Sequence, residues 1–220
     1  MSPRTNFENE LSLLHENLEE MGMLVEQNLD QLFDAQESKD RETLETLRKN
    51  DRIVNDMERH IESKCLTLIT KQQPVARDLR FISAALKVVT DIERAGDQIA
   101  DIAELLLRLN MADLNKYSVH FEQMVKETRD MMHRAVDAFI TRNLEVSQRV
   151  IKDDDMVDDL FNQVKDDVIA DVKENKVSAD ECVDTLMIAK HLEKIADYAV
   201  NIGEWGVFQN TGDIEDIRIL

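Results

Sequence analysis

The sequence is poor in the residues that interrupt regular structure. Its 220 residues include only 5 glycines and 2 prolines, and Pro74 is the only proline beyond the N-terminal arm. Sheet-rich folds need many more turn residues, because hairpins and sheet connections depend on glycine, proline and asparagine. The scarcity predicts long helices joined by short turns.

Cysteines and long apolar runs are also scarce. Cys65 and Cys182 lie far apart and form no Cys-x-x-Cys motif, which argues against a disulfide framework. No apolar segment reaches the length of a membrane span, and residues 1–20 contain no signal-peptide core. These absences predict a cytoplasmic protein with no direct membrane insertion.

Basic residues are outnumbered by acidic ones, 27 to 46, which gives a formal net charge of −19. Affinity for nucleic acid depends largely on Lys and Arg, so this charge argues against a nucleic-acid partner. It argues against anionic lipid surfaces for the same reason. Cations and basic protein surfaces are the complementary ligands.

Apolar residues recur at intervals of three and four through most of the chain, which is the spacing of amphipathic helices. They predict six long helices, at about residues 7–36, 41–70, 74–109, 117–141, 144–175 and 179–208. Asp40 is placed to cap the second helix, and residues 110–115 form the only credible linker. We therefore predict an all-α fold, a duplicated three-helix bundle with two pseudo-symmetric halves. The halves are residues 1–109, and residues 110–220 with a C-terminal tail.

The second half of the sequence repeats the first. Residues 86–104 align with 186–204 at an offset of 100. The identical pairs in this alignment are Leu86/Leu186, Glu93/Glu193, Asp97/Asp197, Ile102/Ile202 and Glu104/Glu204. Residues 49–56 also align with 152–159, at an offset of 103. One three-helix unit therefore occurs twice.

Both copies carry the spacing Glu-x-x-x-Asp, at Glu93 and Asp97 and again at Glu193 and Asp197. Side chains four residues apart share a helix face, where like charges repel by about 0.2–0.5 kcal/mol. Asp101 extends the series in the first half. Such a series predicts a bound cation, and oxygen ligands suit Mg²⁺, Mn²⁺ or iron, with Zn²⁺ a further candidate.

A count by sevens gives the expected orientation of these carboxylates. Leu79 and Leu86 lie seven residues apart on an apolar stripe, and Glu93 takes the next position, where an apolar residue is expected. Carboxylates withdrawn from water need a partner or they take up a proton. The opposite face, which we expect to meet solvent, carries Asp91, Arg94 and Gln98.

The second helix of each half offers further oxygen ligands. The candidates are Asn55 and Glu62 in the first half and Asp154 and Asp158 in the second, with Asp51 as the counterpart of Asp154. Together with the acidic motifs, the predicted metal ligands are Glu93, Asp97, Asp101, Glu193, Asp197, Asn55, Glu62, Asp154 and Asp158. The alternative is a set of ion pairs without metal, such as Lys190–Glu193 and Lys194–Asp197.

No catalytic motif is recognisable. None of the five histidines has a Glu three residues before it, so the Glu-x-x-His pattern of ferritin-like di-iron sites is absent. There is no glycine-rich phosphate loop and no nucleophile motif. We predict that the protein is not an enzyme. Two alternatives remain: a metal-dependent hydrolase, which would need an open coordination position, and a metal-free helical adaptor.

The segment Gln73–Arg80 (QPVARDLR), with the motifs at 93–97 (ERAGD) and 193–197 (EKIAD), resembles the PhoU family of bacterial phosphate-transport regulatory proteins. The resemblance spans about residues 7–208. It implies paired three-helix bundles, metal ions or clusters at the acidic motifs, and negative regulation of the phosphate-starvation response and of phosphate uptake. The implied partners are the ATPase subunit of the phosphate ABC transporter and the phosphate sensor histidine kinase. We also expect a homodimer.

The second half departs from the family pattern in two ways. It reads Lys-Ile-Ala-Asp where the family usually has Arg-Ile-Gly-Asp, and Asn201 stands opposite Asp101. Because an amide replaces a carboxylate, we expect the second metal site to be the weaker one.

Overall fold

The computed structural model describes residues 3–49, 51–74 and 76–213. The helices are α1 (Pro3–Ser38), α2 (Arg41–Lys49), α3 (Asp51–Gln72), α4 (Ala76–Arg108), α5 (Phe121–Thr141), α6 (Leu144–Lys152), α7 (Asp154–Lys173) and α8 (Ala179–Thr211), with a short 3₁₀ helix at Leu114–Lys116. These ranges contain no strand, and no helix in them is long and apolar enough to cross a membrane. The predicted all-α fold and its six helices are confirmed, with the middle helix of each half divided in two.

The connection between the first two helices has the same structure in both halves. Lys39 and Arg142, which follow α1 and α5, adopt left-handed backbone conformations with φ of 58° and 57°. The next residues, Asp40 and Asn143, each accept a hydrogen bond from the amide three residues on, at 3.1 and 3.2 Å. Each cap satisfies one of the amides that a helix start leaves unpaired. The prediction that Asp40 caps the second helix is confirmed.

The division of the second middle helix occurs at Asp153. Its amide donates to the carbonyls of Arg149 and Val150, so it closes α6. Its carboxylate accepts from Arg134 Nη1 of α5 at 2.7 Å, which fixes the corner to the neighbouring helix. The chain then starts α7 at Asp154, so that the first turn of α7 presents acidic side chains.

α4 and α8 form the most extensive helix–helix contact within the described chain. Asp91 meets Asn201 and Asp101 meets His191, so the two helices run antiparallel. α4 also packs on α1, α2 and α3, while α8 packs on α5, α6 and α7. The buried core is continuous across the two halves. The division into two three-helix bundles after residue 109 stays a prediction.

The predicted orientation of α4 needs correction. Leu79 is 39% exposed, and Leu86 and Glu93 are only half-buried, so their stripe lies at the edge of the buried face. Asp91, expected to face solvent, is 6% exposed, and Gln98 is half-buried. Arg94 is exposed as expected, but α8 covers the part of this face that carries Asp91 and Gln98. A count by sevens describes a helix with one partner only.

A close approach of α6 and α8 completes the second half. A Cβ added to Gly203 would lie 3.1 Å from the carbonyl oxygen of Ser147, which is tighter than ordinary packing. The absence of a side chain therefore lets the backbone of α6 approach α8 directly. This contact holds the start of α7 beside the middle of α8.

Candidate metal sites

Four carboxylates interact where α7 begins beside α8. Asp154 and Asp158 lie one turn apart on α7, and Glu193 and Asp197 lie one turn apart on α8. Burial raises the pKa of both Asp154 and Asp158, and the negative charges of Glu193 and Asp197 raise them further. The structure therefore brings all four of the second half's predicted ligands into one electrostatic cluster.

Two lysines neutralise part of this cluster. Lys190 Nζ lies 2.6 Å from Glu193 Oε1, and Lys194 Nζ lies 3.5 Å from Glu193 Oε2 and also binds Asp197. The predicted pairs Lys190–Glu193 and Lys194–Asp197 are therefore present. The Glu193 side chain is only 12% exposed, and its Oε2 atom is buried and accepts no hydrogen bond.

This arrangement fits a cation only after a rearrangement. Within the described chain, no three Asp, Glu, His or Cys side chains stand together in a geometry that would hold a metal ion. The donor chemistry nevertheless suits a hard cation, since the cluster offers carboxylate oxygens. One of them, Glu193 Oε2, is buried and accepts no hydrogen bond, although the Lys194 ammonium lies 3.5 Å away. Lys194 is 39% exposed, so its flexible ammonium has room to move into solvent. The metal ligands stay a prediction.

The first half places its predicted ligands on α3 and α4. Glu93 and Asp97 are half-buried on α4, and each has interactions of its own. Asn55 is half-buried on α3 at the position equivalent to Asp158. Asp51, the counterpart of Asp154, begins α3.

Sequence reasoning missed one acidic residue in this region, Glu58. Its pKa is raised by burial and then by the neighbouring charge of Glu62, whereas a hydrogen bond with Thr90 and the charge of Arg94 lower it. Glu58 is therefore an acidic group of α3 that faces α4. Its position one turn before Glu62 was the available signal.

Two polar pairs lie between α4 and α8, and they include Asp91 and Gln98, which we expected to face solvent. Asn201 Nδ2 donates to Asp91 Oδ1 at 3.3 Å, and burial raises the pKa of Asp91 to about 6. His191 Nδ1 lies 2.8 Å from Gln98 Oε1 and 4.0 Å from a carboxylate oxygen of Asp101, whose side chain is 60% exposed. Asn201, the counterpart of Asp101 in the repeat, thus contacts Asp91.

A Ser and a His between the 3₁₀ helix and α5 contact an Asp of α7, but not as a nucleophile and its base. Ser118 Oγ donates to Asp167 Oδ2 at 2.7 Å, and His120 Nδ1 lies 2.9 Å from the same oxygen. Activation of a serine requires the hydroxyl to donate to the histidine, with the carboxylate on the far side of the ring. This cluster instead holds the segment before α5 against α7.

A groove of about 700 Å³ runs between α1 and α5. Leu29, Phe33 and Phe121 line it, with charged residues around them. Its charges pair across the groove, as in the contact of His133 with Glu26 at 2.8 Å. None of the predicted metal ligands lies in it.

Comparison with known proteins decides the family. The model of the PhoU domain matches the chain twice, at residues 18–106 and 121–206. The chain belongs to the PhoU family. One match falls on each half, so the internal repeat is a repeat of the PhoU domain.

Relatives and solved structures agree with this assignment. The chain is 34% identical to a phosphate-specific transport system accessory protein PhoU homolog of Clostridium acetobutylicum, over 98% of this chain and 99% of that protein. It is 33% identical to a homolog from Methanothermobacter thermautotrophicus, over 95% and 96%. The crystal structure of the phosphate transport system regulatory protein PhoU from Streptococcus pneumoniae matches with a TM-score of 0.86 and 28% identity, over 96% of this chain and 100% of that one. PhoU from Pseudomonas aeruginosa matches with a TM-score of 0.88 and 26% identity, over 94% and 100%.

Proposed function

We propose that this protein is a cytoplasmic negative regulator of the phosphate-starvation response and of phosphate uptake, and not an enzyme. It acts by contact with the ATPase subunit of the phosphate transporter and with the phosphate sensor histidine kinase. The observation that carries the proposal is the likeness, over nearly its whole length, to an accessory protein of a phosphate-specific transport system. The formal charge of −19 suits contact with basic protein surfaces.

The proposal includes metal ions at the acidic motifs, as Mg²⁺, Mn²⁺, Zn²⁺ or iron. In the second half, Asp154, Asp158, Glu193 and Asp197 would hold the ion; in the first half, Glu93 and Asp97 would do so with Asn55 and Glu62. A bound cation would supply positive charge in place of the Lys194 ammonium. The residues of the second half would then be held together across α7 and α8, because both helices contribute ligands. Support comes from the mutual repulsion of these carboxylates and from the buried Glu193 Oε2 atom, which accepts no hydrogen bond.

Complementation tests the regulatory role. A bacterial strain that lacks its own PhoU protein and carries a reporter of phosphate starvation should be repressed at high phosphate when it expresses this chain. The double variant Glu193→Gln, Asp197→Asn should lose repression if metal at the second half is needed. Asp159→Asn, an exposed charge change on the neighbouring α7 helix, is the control and should repress normally. Failure of the wild-type chain to repress, with normal expression, contradicts the regulatory role.

A binding experiment separates the proposal from the alternatives. Purified chain should capture the transporter ATPase subunit and the cytoplasmic part of the sensor kinase, and size-exclusion chromatography with light scattering should give the mass of a homodimer. Capture that persists after chelation would favour the metal-free adaptor. Turnover of phosphate esters by the metal-loaded protein, abolished in the double variant, would favour the hydrolase.

A further inference from the structure

Three arginines lie at one end of the bundle, where α4 begins and α5 and α8 end. Arg77 and Arg80 lie in the first turns of α4, and Arg142 follows the end of α5. The Arg142 guanidinium lies over the ring of Phe81, 5.1 Å from its centre. Within the described chain, no Asp or Glu oxygen lies within 4.0 Å of these three guanidinium groups. Arg52 and Arg94 likewise have no such partner in the described chain, whereas seven arginines do, namely Arg41, Arg48, Arg59, Arg108, Arg129, Arg134 and Arg149.

One donor in this cluster is buried and unused. Arg80 Nε is buried and has no hydrogen-bond partner. The stem of Arg80 packs on Gly212 at the end of α8, where an added Cβ would lie 3.2 Å from Arg80 Cδ. A buried donor attached to a cation is costly without an acceptor. The packing therefore holds the guanidinium in place and leaves its donor unmatched.

The charges of the cluster repel one another. Burial lowers the pKa of Arg142, the charge of Arg77 lowers it further, and Asp78 partly offsets this. The positive charges of Arg77 and Arg142 therefore repel each other in a chain whose formal charge is −19. An arrangement that costs free energy in this way is expected where an anion binds.

The cluster has no counterpart in the second half. At the offset of 100 that relates α4 to α8, the residues matching Arg77 and Arg80 are Val177 and Asp180. The start of α8 is instead closed by a capping box between Ser178 and Glu181. The arginines are therefore not a requirement of the repeated helical unit.

We propose that Arg77, Arg80 and Arg142 form a binding site for inorganic phosphate or for a phosphoryl group of a larger molecule. A phosphoryl oxyanion carries about −1.5 to −2 charges at pH 7, so it can pair with more than one guanidinium group, whereas a carboxylate carries one charge. Guanidinium groups bind phosphate oxygens through paired N–H donors. The site goes beyond the proposed regulatory contacts and shares no residue with the acidic motifs, so its failure would leave the metal proposal untouched.

Calorimetric titration with sodium phosphate, at an ionic strength held constant with chloride, tests the site. Wild-type protein should bind, and Arg77→Gln should weaken binding about tenfold or more, since hydrogen bonds to charged groups contribute that much. Arg142→Asn should do the same, and Asn tolerates the left-handed backbone there. Arg59→Gln, an exposed arginine of α3 paired with Asp56, is the matched control and should bind like wild type.

His15 provides a second readout by NMR. Its ring stacks on Phe81 with 4.5 Å between centres. Burial lowers its pKa, Arg142 lowers it further and Glu19 raises it. A bound anion should offset the charge of Arg142, so phosphate should raise the pKa of His15 in wild type and not in Arg142→Asn. A role limited to neutralising the negative carbonyl ends of α5 and α8 would leave this pKa unmoved by phosphate.

Further ligands distinguish the source of the phosphoryl group. Tighter binding of polyphosphate or ATP than of phosphate would assign the site to a larger phosphorylated molecule, and equal or weaker binding would assign it to free phosphate. Absence of binding by all three overturns the proposal. Equal weakening by Arg59→Gln and Arg77→Gln also overturns it, because the effect would then be one of general charge.

Discussion

The two halves share their helices and caps but differ in the side chains that face the acidic motifs. In the second half, Asp158 on α7 adds its charge to those of Glu193 and Asp197. The equivalent pairs along α3 and α7 are Asn55/Asp158, Glu58/Phe161 and Glu62/Lys165. The acidic groups of the first half thus extend further along the helix, where the second half has an aromatic ring and a lysine.

This difference shows which features the duplicated unit must keep. Left-handed residues after α1 and α5, and the caps that follow them, recur at the same offset. Buried positions such as Ile92 and Leu192 recur as well. Residues at the edge of the buried face are not held by packing, so each half can carry its own charge pattern.

Truncation of equivalent core residues tests whether the two halves contribute equally to the stability of the protein. Ile92→Ala and Leu192→Ala should each lower the free energy of unfolding by about 2–5 kcal/mol, because both side chains are fully buried. Urea denaturation measures this loss. Leu86→Ala and Leu186→Ala are the controls and should cost less, since both leucines are half-buried. A near-zero cost for only one of Ile92→Ala and Leu192→Ala would break the equivalence.

Asp91→Asn tests the polar pair at one end of the α4–α8 contact. Folding raises the pKa of Asp91 from 3.8 to about 6. Its ionisation therefore costs nothing below pH 4, and the full cost appears as pH rises past 6. The variant should gain about 2–3 kcal/mol of stability over wild type at pH 8, at about 1.4 kcal/mol per pKa unit, and almost none at pH 4.

Denaturation curves at both pH values give this difference. Asp101→Asn, at the other end of the same helix pair, is the control, because its side chain is 60% exposed. It should change stability little at either pH. An Asp91→Asn variant that is less stable than wild type at pH 8 would contradict the burial argument.

Lys194→Gln tests the competition between lysine and cation in the second half. Without metal, loss of the ammonium should cost up to about 1 kcal/mol at pH 7, as for a partly exposed ion pair. With metal, the variant should bind the cation more tightly than wild type, since the ammonium of Lys194 no longer has to leave. Lys152→Gln, an exposed lysine of α6, is the control. Calorimetric titration with Mn²⁺ compares the three proteins, and weaker binding by Lys194→Gln would show that Lys194 supports the site rather than competing for it.

The sequence predicted the fold well because the relevant signals are local. Apolar spacing, the cap at Asp40 and the offset repeats depend on residues close in the chain, and all of them appear in the structure. The burial of Asp91 could not be predicted in this way, because it depends on α8, more than a hundred residues away. For the same reason the contact of Asn201 with Asp91 could not be predicted. The expectation of a weaker second site, which rests on an amide at the position equivalent to Asp101, stays a prediction.

Metal content measured by elemental analysis tests the central claim, that each half holds a cation with its Glu-x-x-x-Asp motif. Each protein is equilibrated with metal at pH 7.5 and desalted before the measurement. Asp97→Asn should lack the metal bound by the first half and Asp197→Asn the metal bound by the second half, both with unchanged helical circular dichroism. Because the pKa values of Asp154 and Asp158 are raised, the second half should release its metal at a higher pH than ordinary carboxylates would during acidification. Full metal content in both single variants, or none in wild type, would contradict the claim.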